Sequence, residues 1–160
     1  MTKTKLVGLV AAAVATYGVW HSVRGGDEDT ETSAKLAFDR LWIDHVPRGE
    51  TDKINVFVAL GEEAIGVFQQ ASAWQGNYDL FRFEASGNEI RTFFPQTKQR
   101  ERLTVRTREC HDVEHMDYCL DISGGSHGVK HYYSQKGWEI GDATLLGALA
   151  HADALIQAAE

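Results

Sequence analysis

From Lys53 to Ile140 apolar and polar residues alternate with a period of two, as they do in strands that bury one face. Ile54–Leu60, Ala64–Ala73, Tyr78–Glu84, Glu89–Phe94, Arg102–Cys110, Tyr118–Ser123 and Gly128–Ser134 read as strands, with a short eighth at Trp138–Ile140. Turn residues separate them: Gly61 to Glu63, Gln75 to Asn77, Ser86 to Asn88, Pro95 to Gln99 and Gly124 to Ser126. Each connection is too short for a crossover helix, so successive strands pair as antiparallel hairpins. The expected fold is mainly β, an up-and-down meander of seven or eight strands. Closing it into a barrel, or curling it strongly, removes the exposed edges that invite aggregation.

Helical periodicity brackets the meander. Ser33 can cap a helix running to about Val46, with Ala34, Ala37, Phe38, Leu41 and Trp42 on one face and Pro47 just past its end. Asp142 can cap a second helix, Ala143–Ala159, whose stripe Leu145, Leu149, Ala152 and Ile156 would pack on the sheet. A further apolar segment opens the chain, where Lys3 and Lys5 precede the uncharged run Leu6–Val23. About 18 residues at ~1.5 Å each make roughly 27 Å of helix, enough to cross a bilayer. Residues 1–23 therefore read as a signal anchor, or as a signal peptide cut at the small-residue pattern Ala13, Val14, Ala15. Either way the basic start stays inside, and the rest of the chain reaches the extracytoplasmic (periplasmic) side. It is then held to the membrane through residues 6–23 or secreted after cleavage. Residues 24–32 form an acidic linker, and residues 33–160 a single β-rich domain.

A meander set between a leading and a trailing helix resembles the lipocalin-like small β-barrel proteins, over roughly Trp42 to the end. That family places Gly-x-Trp at its first strand. Here Trp42 follows Arg40 and Leu41, and Trp74, Gln75 and Gly76 lie elsewhere in the chain. The resemblance implies a small apolar or lipid-like ligand inside the barrel, and it carries over no site residue.

Composition narrows the partners. The 160 residues are 43% hydrophobic with a net charge of −7, which disfavours nucleic acid, since affinity for phosphates rests on cationic surface. Locally the sign reverses: Arg100, Arg102, Arg106 and Arg108 share one parity in one strand and so one face. Such a stripe can contact anionic lipid headgroups, a phosphorylated sugar or an acidic partner, or it can be a solvated face balanced by Asp121 and nearby glutamates. The aromatic residues of the meander can fill a core or line a ligand-holding interior.

Both cysteines lie in Cys110–Cys119, a stretch that also holds His111 and His115. If Cys110 faces Cys119 in a hairpin, Arg108 faces Asp121 and Thr107 faces Ile122. The cysteines and these charges then take the outer face, while Leu103, Val105, Leu120 and Ile122 take the inner one. Export makes a disulfide there the expected state, and by loop entropy a ring of about ten residues stabilises by roughly 2–3 kcal/mol. The spacing of His111, Glu114 and His115 also matches an inverted zinc-protease motif. That motif needs a helix, which would hold the cysteine α-carbons about 13 Å apart, against a disulfide limit of about 7 Å. A loop site formed by His111, His115 and His131 remains, with zinc or copper as the metal. His127 and His131 would share one strand face. Ser126 and His127 near Asp121 lack any oxyanion feature, so no catalytic residue is assigned. The expected function is a non-enzymatic binding or interaction domain for an apolar ligand or an envelope protein. The alternative is a metal-binding protein or metal-dependent enzyme built on the loop histidines.

Overall fold

The computed structural model describes residues 34–72, 75–111, 113–141 and 145–158. The expected anchor or signal, the acidic linker and Ser33 lie outside the described residues. Among those residues no helix is long and apolar enough to cross a membrane.

The alternating pattern folds into a closed, eight-stranded antiparallel barrel in which neighbours in sequence are neighbours in space. The strands are β1 (Trp42–Ile43), β2 (Ile54–Leu60), β3 (Ile65–Ala71), β4 (Gly76–Ser86), β5 (Glu89–Phe94), β6 (Gln99–Glu109), β7 (Tyr118–Ser123) and β8 (His131–Ser134). A single helix, α1 (Leu145–Gln157), follows them. The alternation sorts side chains onto two sides of one wall. Trp42, Phe57, Phe68, Phe81, Phe83, Phe94, Leu103, Val105, Leu120, Ile122 and Tyr132 form one buried cluster, the barrel interior. Its rings touch one another, with centroids 5.1 Å apart for Phe57 and Phe68, 5.3 Å for Phe68 and Phe81, and 5.6 Å for Phe81 and Phe94. Each such buried side chain contributes on the order of 1.5–3 kcal/mol from burial. Gly66 makes the packing possible, because a Cβ there would run into the Phe81 ring and the Val58 carbonyl.

A second cluster lies on the outer side of the wall, with Leu41, Ile43, Ile54, Val56, Val58, Leu60, Val67, Cys110 and Cys119. Helix α1 covers part of it through the buried Ala152 and Ile156 and the half-buried Leu149, as the helical stripe predicts. This outer cluster explains why β2 is apolar on both faces: one face meets the aromatic interior and the other meets the helix side.

The leading helix is shorter than its periodicity suggests. Among the described residues of this segment 34–36 is helical, and the expected continuation to Val46 instead contains the closing strand of the barrel. Trp42 pairs with Phe57, and Ile43 pairs with both Val56 and Tyr133, so β1 joins β2 to β8 and leaves no free edge. Asp39 sits at φ 52°, outside the helical region, and its N–H donates to the Ala59 carbonyl at 2.8 Å. Sheet hydrogen bonds thus capture backbone groups that a helix would need internally. Trp42 still reaches the interior, where its Nε1 donates to the Ala37 carbonyl at 3.0 Å. The eighth strand is therefore β1 and not Trp138–Ile140, where only an isolated bridge joins Arg40 to Glu139.

Arg40 ties that seam. It is 4% exposed, donates to the Gln135 carbonyl at 2.7 Å, pairs with Glu139, and lies 4.5 Å over the Tyr118 ring. A buried guanidinium without those partners would be strongly destabilising.

The β6–β7 register is two residues away from the expected one. Arg106, not Arg108, faces Asp121, while Arg108 faces Cys119 and Val105 faces Ile122. A slip of two preserves the side of the wall on which each residue falls, so the face assignments stand. Cys110 and Cys119 form a disulfide across a diagonal, with α-carbons 5.1 Å apart. They are 7% and 2% exposed, hence on the outer side but covered.

Candidate functional site

The site residues expected from the sequence fall in three places: the Cys110–Cys119 loop, the turn between β7 and β8, and the outer wall of β4, β5 and β6.

The loop is a staple. Cys110 N–H donates to the Asp117 carbonyl at 2.8 Å, and Asp117 N–H donates to the Ser134 carbonyl at 3.0 Å, so the loop base is fastened to its own neighbours. Its histidines point away from that framework. His111 and His115 are each 79% exposed and lie near Glu109 (4.0 Å) and Glu114 (3.4 Å) respectively. His131 is 69% exposed and bonds to Asp121 at 2.6 Å. The structure thus pairs His111, His115 and His131 with three separate carboxylates. Among the described residues no group of three or more His, Cys, Asp or Glu side chains is placed to hold a metal ion.

The turn between β7 and β8 is the reverse case. Strand β8 begins at His131, so His127 lies in the turn and does not share the face of His131. Positive φ at Gly124 (79°), Gly125 (73°) and Gly128 (68°) folds the turn inward. His127 is consequently 12% exposed, with its ring stacked on Phe94 at 3.8 Å. Its Nδ1 lies 3.2 Å from Glu101, whose carboxylate also accepts from the Ser126 N–H at 3.1 Å and the Ser126 hydroxyl at 2.5 Å. Burial pushes the Glu101 carboxyl up, but the hydrogen bonds from Ser126 and His127 outweigh it and hold the carboxyl below the ordinary range. Beside it, Tyr132 accepts from the Val129 N–H at 3.0 Å, and burial drives its hydroxyl well above the usual tyrosine range. The Ser126 hydroxyl thus donates to the Glu101 carboxylate, which holds it in the turn. This cluster closes the end of the barrel over Phe68 and Phe94.

Sequence reasoning noted Ser126 and His127 near Asp121, assigned them no role, and missed Glu101. The available signal was parity. Glu101 stands between Arg100 and Arg102, on the inward side shared with Leu103 and Val105, and an inward carboxylate needs a partner.

The outer wall carries the arginines. Arg100, Arg102, Arg106 and Arg108 are all exposed on the outer side of β6, as their shared parity predicts. The hairpin registers add two more from neighbouring strands. Arg82 faces Phe93, which faces Arg100, and Glu84 faces Arg91, which faces Arg102. Arg100 stacks 5.3 Å from the centre of the half-buried Phe93 ring. Arg91 and Arg102 share Glu89, at 3.0 and 3.4 Å. Among the described residues, Arg82, Arg100 and Arg106 have no carboxylate within ion-pair reach. An open hollow of about 850 Å³ lies here, lined by Arg82, Arg100, Phe93 and Thr92 and also by Glu63 and Glu84.

Fold and site together define a disulfide-stapled, closed eight-stranded meander barrel with an aromatic-packed interior. Compared with known proteins, the chain matches no family model, no curated protein and no solved structure.

Proposed function

We propose that this chain is a non-enzymatic interaction domain, exported to an oxidising compartment, that engages an anionic partner through its arginine-bearing outer wall. One observation carries this reading. A chain of net charge −7 gathers six arginines on the adjoining outer faces of β4, β5 and β6, and Arg82, Arg100 and Arg106 lack an ion-pair partner among the described residues. Unneutralised guanidiniums beside a half-buried aromatic ring are a recurrent make-up of protein contact surfaces. The disulfide supports the compartment, since such bonds persist where thiols are not kept reduced. Tethering through residues 6–23 fits the same picture and would keep the domain near the envelope.

The packed interior favours the outer wall over a lipocalin-like mode of action. Where a small apolar ligand would sit, Phe57, Phe68, Phe81, Phe94 and Tyr132 contact one another. The reading is tested with the exported domain and a soluble polyanion, dextran sulfate, followed by titration calorimetry at rising salt. Binding that weakens as salt rises, and that vanishes in a variant with Arg100, Arg102, Arg106 and Arg108 all replaced by Gln, is the expected result. Equal binding by the wild type and this variant sinks the proposal.

A further inference from the structure

We infer that Arg82, Phe93 and Arg100 form a discrete docking site for an extended acidic segment of a protein partner; this rests on the outer-wall reading above. The three residues are direct cross-strand neighbours on β4, β5 and β6, so they form one row perpendicular to the strands. Two strand spacings of ~4.8 Å place the outer two positions about 10 Å apart. In an extended segment of polyproline-II conformation, with three residues per turn and ~3.1 Å per residue, acidic residues three positions apart share one face and lie about 9 Å apart. The two residues between them then span the Phe93 ring, which is half-buried and already flanked by the Arg100 guanidinium at 5.3 Å.

The rows beside it explain why the site is confined to these residues. Arg91 and Arg102 are occupied by Glu89, and Asp121, across from Arg106, is bonded to His131. Arg82 and Arg100 are the pair that combines unneutralised charge with an aromatic floor and an open hollow of about 850 Å³. A membrane surface fits less well. Glu63 and Glu84 line the same hollow, and a broad sheet of anionic headgroups would press against both at once. A narrow segment can place carboxylates on the two arginines and avoid the glutamates.

The test uses the full domain and three probes: a synthetic peptide with two glutamates three residues apart around a phenylalanine, inorganic phosphate, and vesicles containing anionic lipid. The peptide should bind, and Arg82→Gln combined with Arg100→Gln should weaken it by about tenfold or more, as expected when the charges at the centre of a contact are removed. Arg106→Gln should change it less than about twofold, and moving the glutamates to adjacent positions should weaken the peptide about as much as the double variant does. Phe93→Ala should also weaken it, while a melting temperature near that of the wild type shows that the fold is kept. If all the arginine variants weaken the peptide alike, the site is overturned but the outer-wall reading stands. Preference for vesicles or phosphate over the peptide overturns the segment as occupant. Failure to bind any of the probes, or dextran sulfate, overturns both readings.

Discussion

Two turns of this barrel carry histidines next to acidic residues, and they are built in opposite ways. The Cys110–Cys119 loop concentrates its chemistry within ten positions of sequence, yet His111 and His115 are each 79% exposed and the disulfide beneath them is the structural element. The Gly124–Gly128 turn looks sparse. It nevertheless brings His127 and Ser126 onto Glu101, which is 25 residues from Ser126, and seals the result against Phe94. Density of reactive residues along a chain says little about density in space. What decides is whether the backbone turns them toward a wall that already holds a partner, and three left-handed glycines do that in the second turn.

The largest break in this contrast should come from Gly128→Ala. Gly128 has φ 68°, and a Cβ there would run into the Phe68 ring and the Tyr132 hydroxyl. Left-handed strain of about 1 kcal/mol and overpacking of about 1–3 kcal/mol combine to a loss of roughly 2–4 kcal/mol. Denaturant melts of the exported domain measure it. A loss below about 1 kcal/mol would mean that the turn does not fold inward over the aromatic core.

Period-two alternation made the meander legible but left a closed barrel and a curled sheet both open, and parity placed every arginine of β6 on the correct side. Two kinds of information were not local enough to read. Leu41 and Trp42 are buried, and their helical spacing with Ala34 and Ala37 hid the two-residue strand that joins β2 to β8. The diagonal disulfide likewise misled the register by two residues, because facing cysteines were taken as the reference for pairing. The outer arginine row spans three strands and emerges only once adjacent registers are known. Glu101 was readable in principle, as an inward carboxylate in an apolar row, but its partners come from another hairpin.

A smaller effect, and a pH-dependent one, should follow from Glu101→Gln. The carboxylate holds Ser126 and His127, and charge-assisted hydrogen bonds of this kind contribute about 1.5–3 kcal/mol, part of which a neutral amide retains. A loss of roughly 1–2 kcal/mol at pH 7 is expected. The Glu101 carboxyl is held below the ordinary range in the fold, so its contribution is fully present above the ordinary carboxylate pKa of about 4.3. It disappears as pH falls through the depressed folded value, and the gap between wild type and Glu101→Gln should close in acid. Glu109→Gln, at a position 79% exposed, should show no such gap at either pH. A difference for Glu101→Gln that persists unchanged at pH 3 would mean that its charge is not what stabilises the turn.

The smallest effects belong to the loop histidines, and there the sign is informative. His111→Ala should lie within about 0.5 kcal/mol of the wild type, since its contact with Glu109 is exposed and long at 4.0 Å. His115 differs because its φ is 66°, while its carbonyl accepts from Gln135 Nε2 at 2.7 Å whatever side chain it carries. His115→Gly should therefore stabilise slightly relative to His115→Ala, by up to about 1 kcal/mol, because glycine takes the left-handed conformation without a Cβ penalty. The same melts run with one equivalent of zinc sharpen the contrast with the buried turn. Three histidines engaged by three separate carboxylates predict no zinc-dependent rise in melting temperature. A clear rise that His111→Ala or His131→Ala removes would show that the loop can gather its ligands after all, and that a metal supplies the convergence the backbone does not.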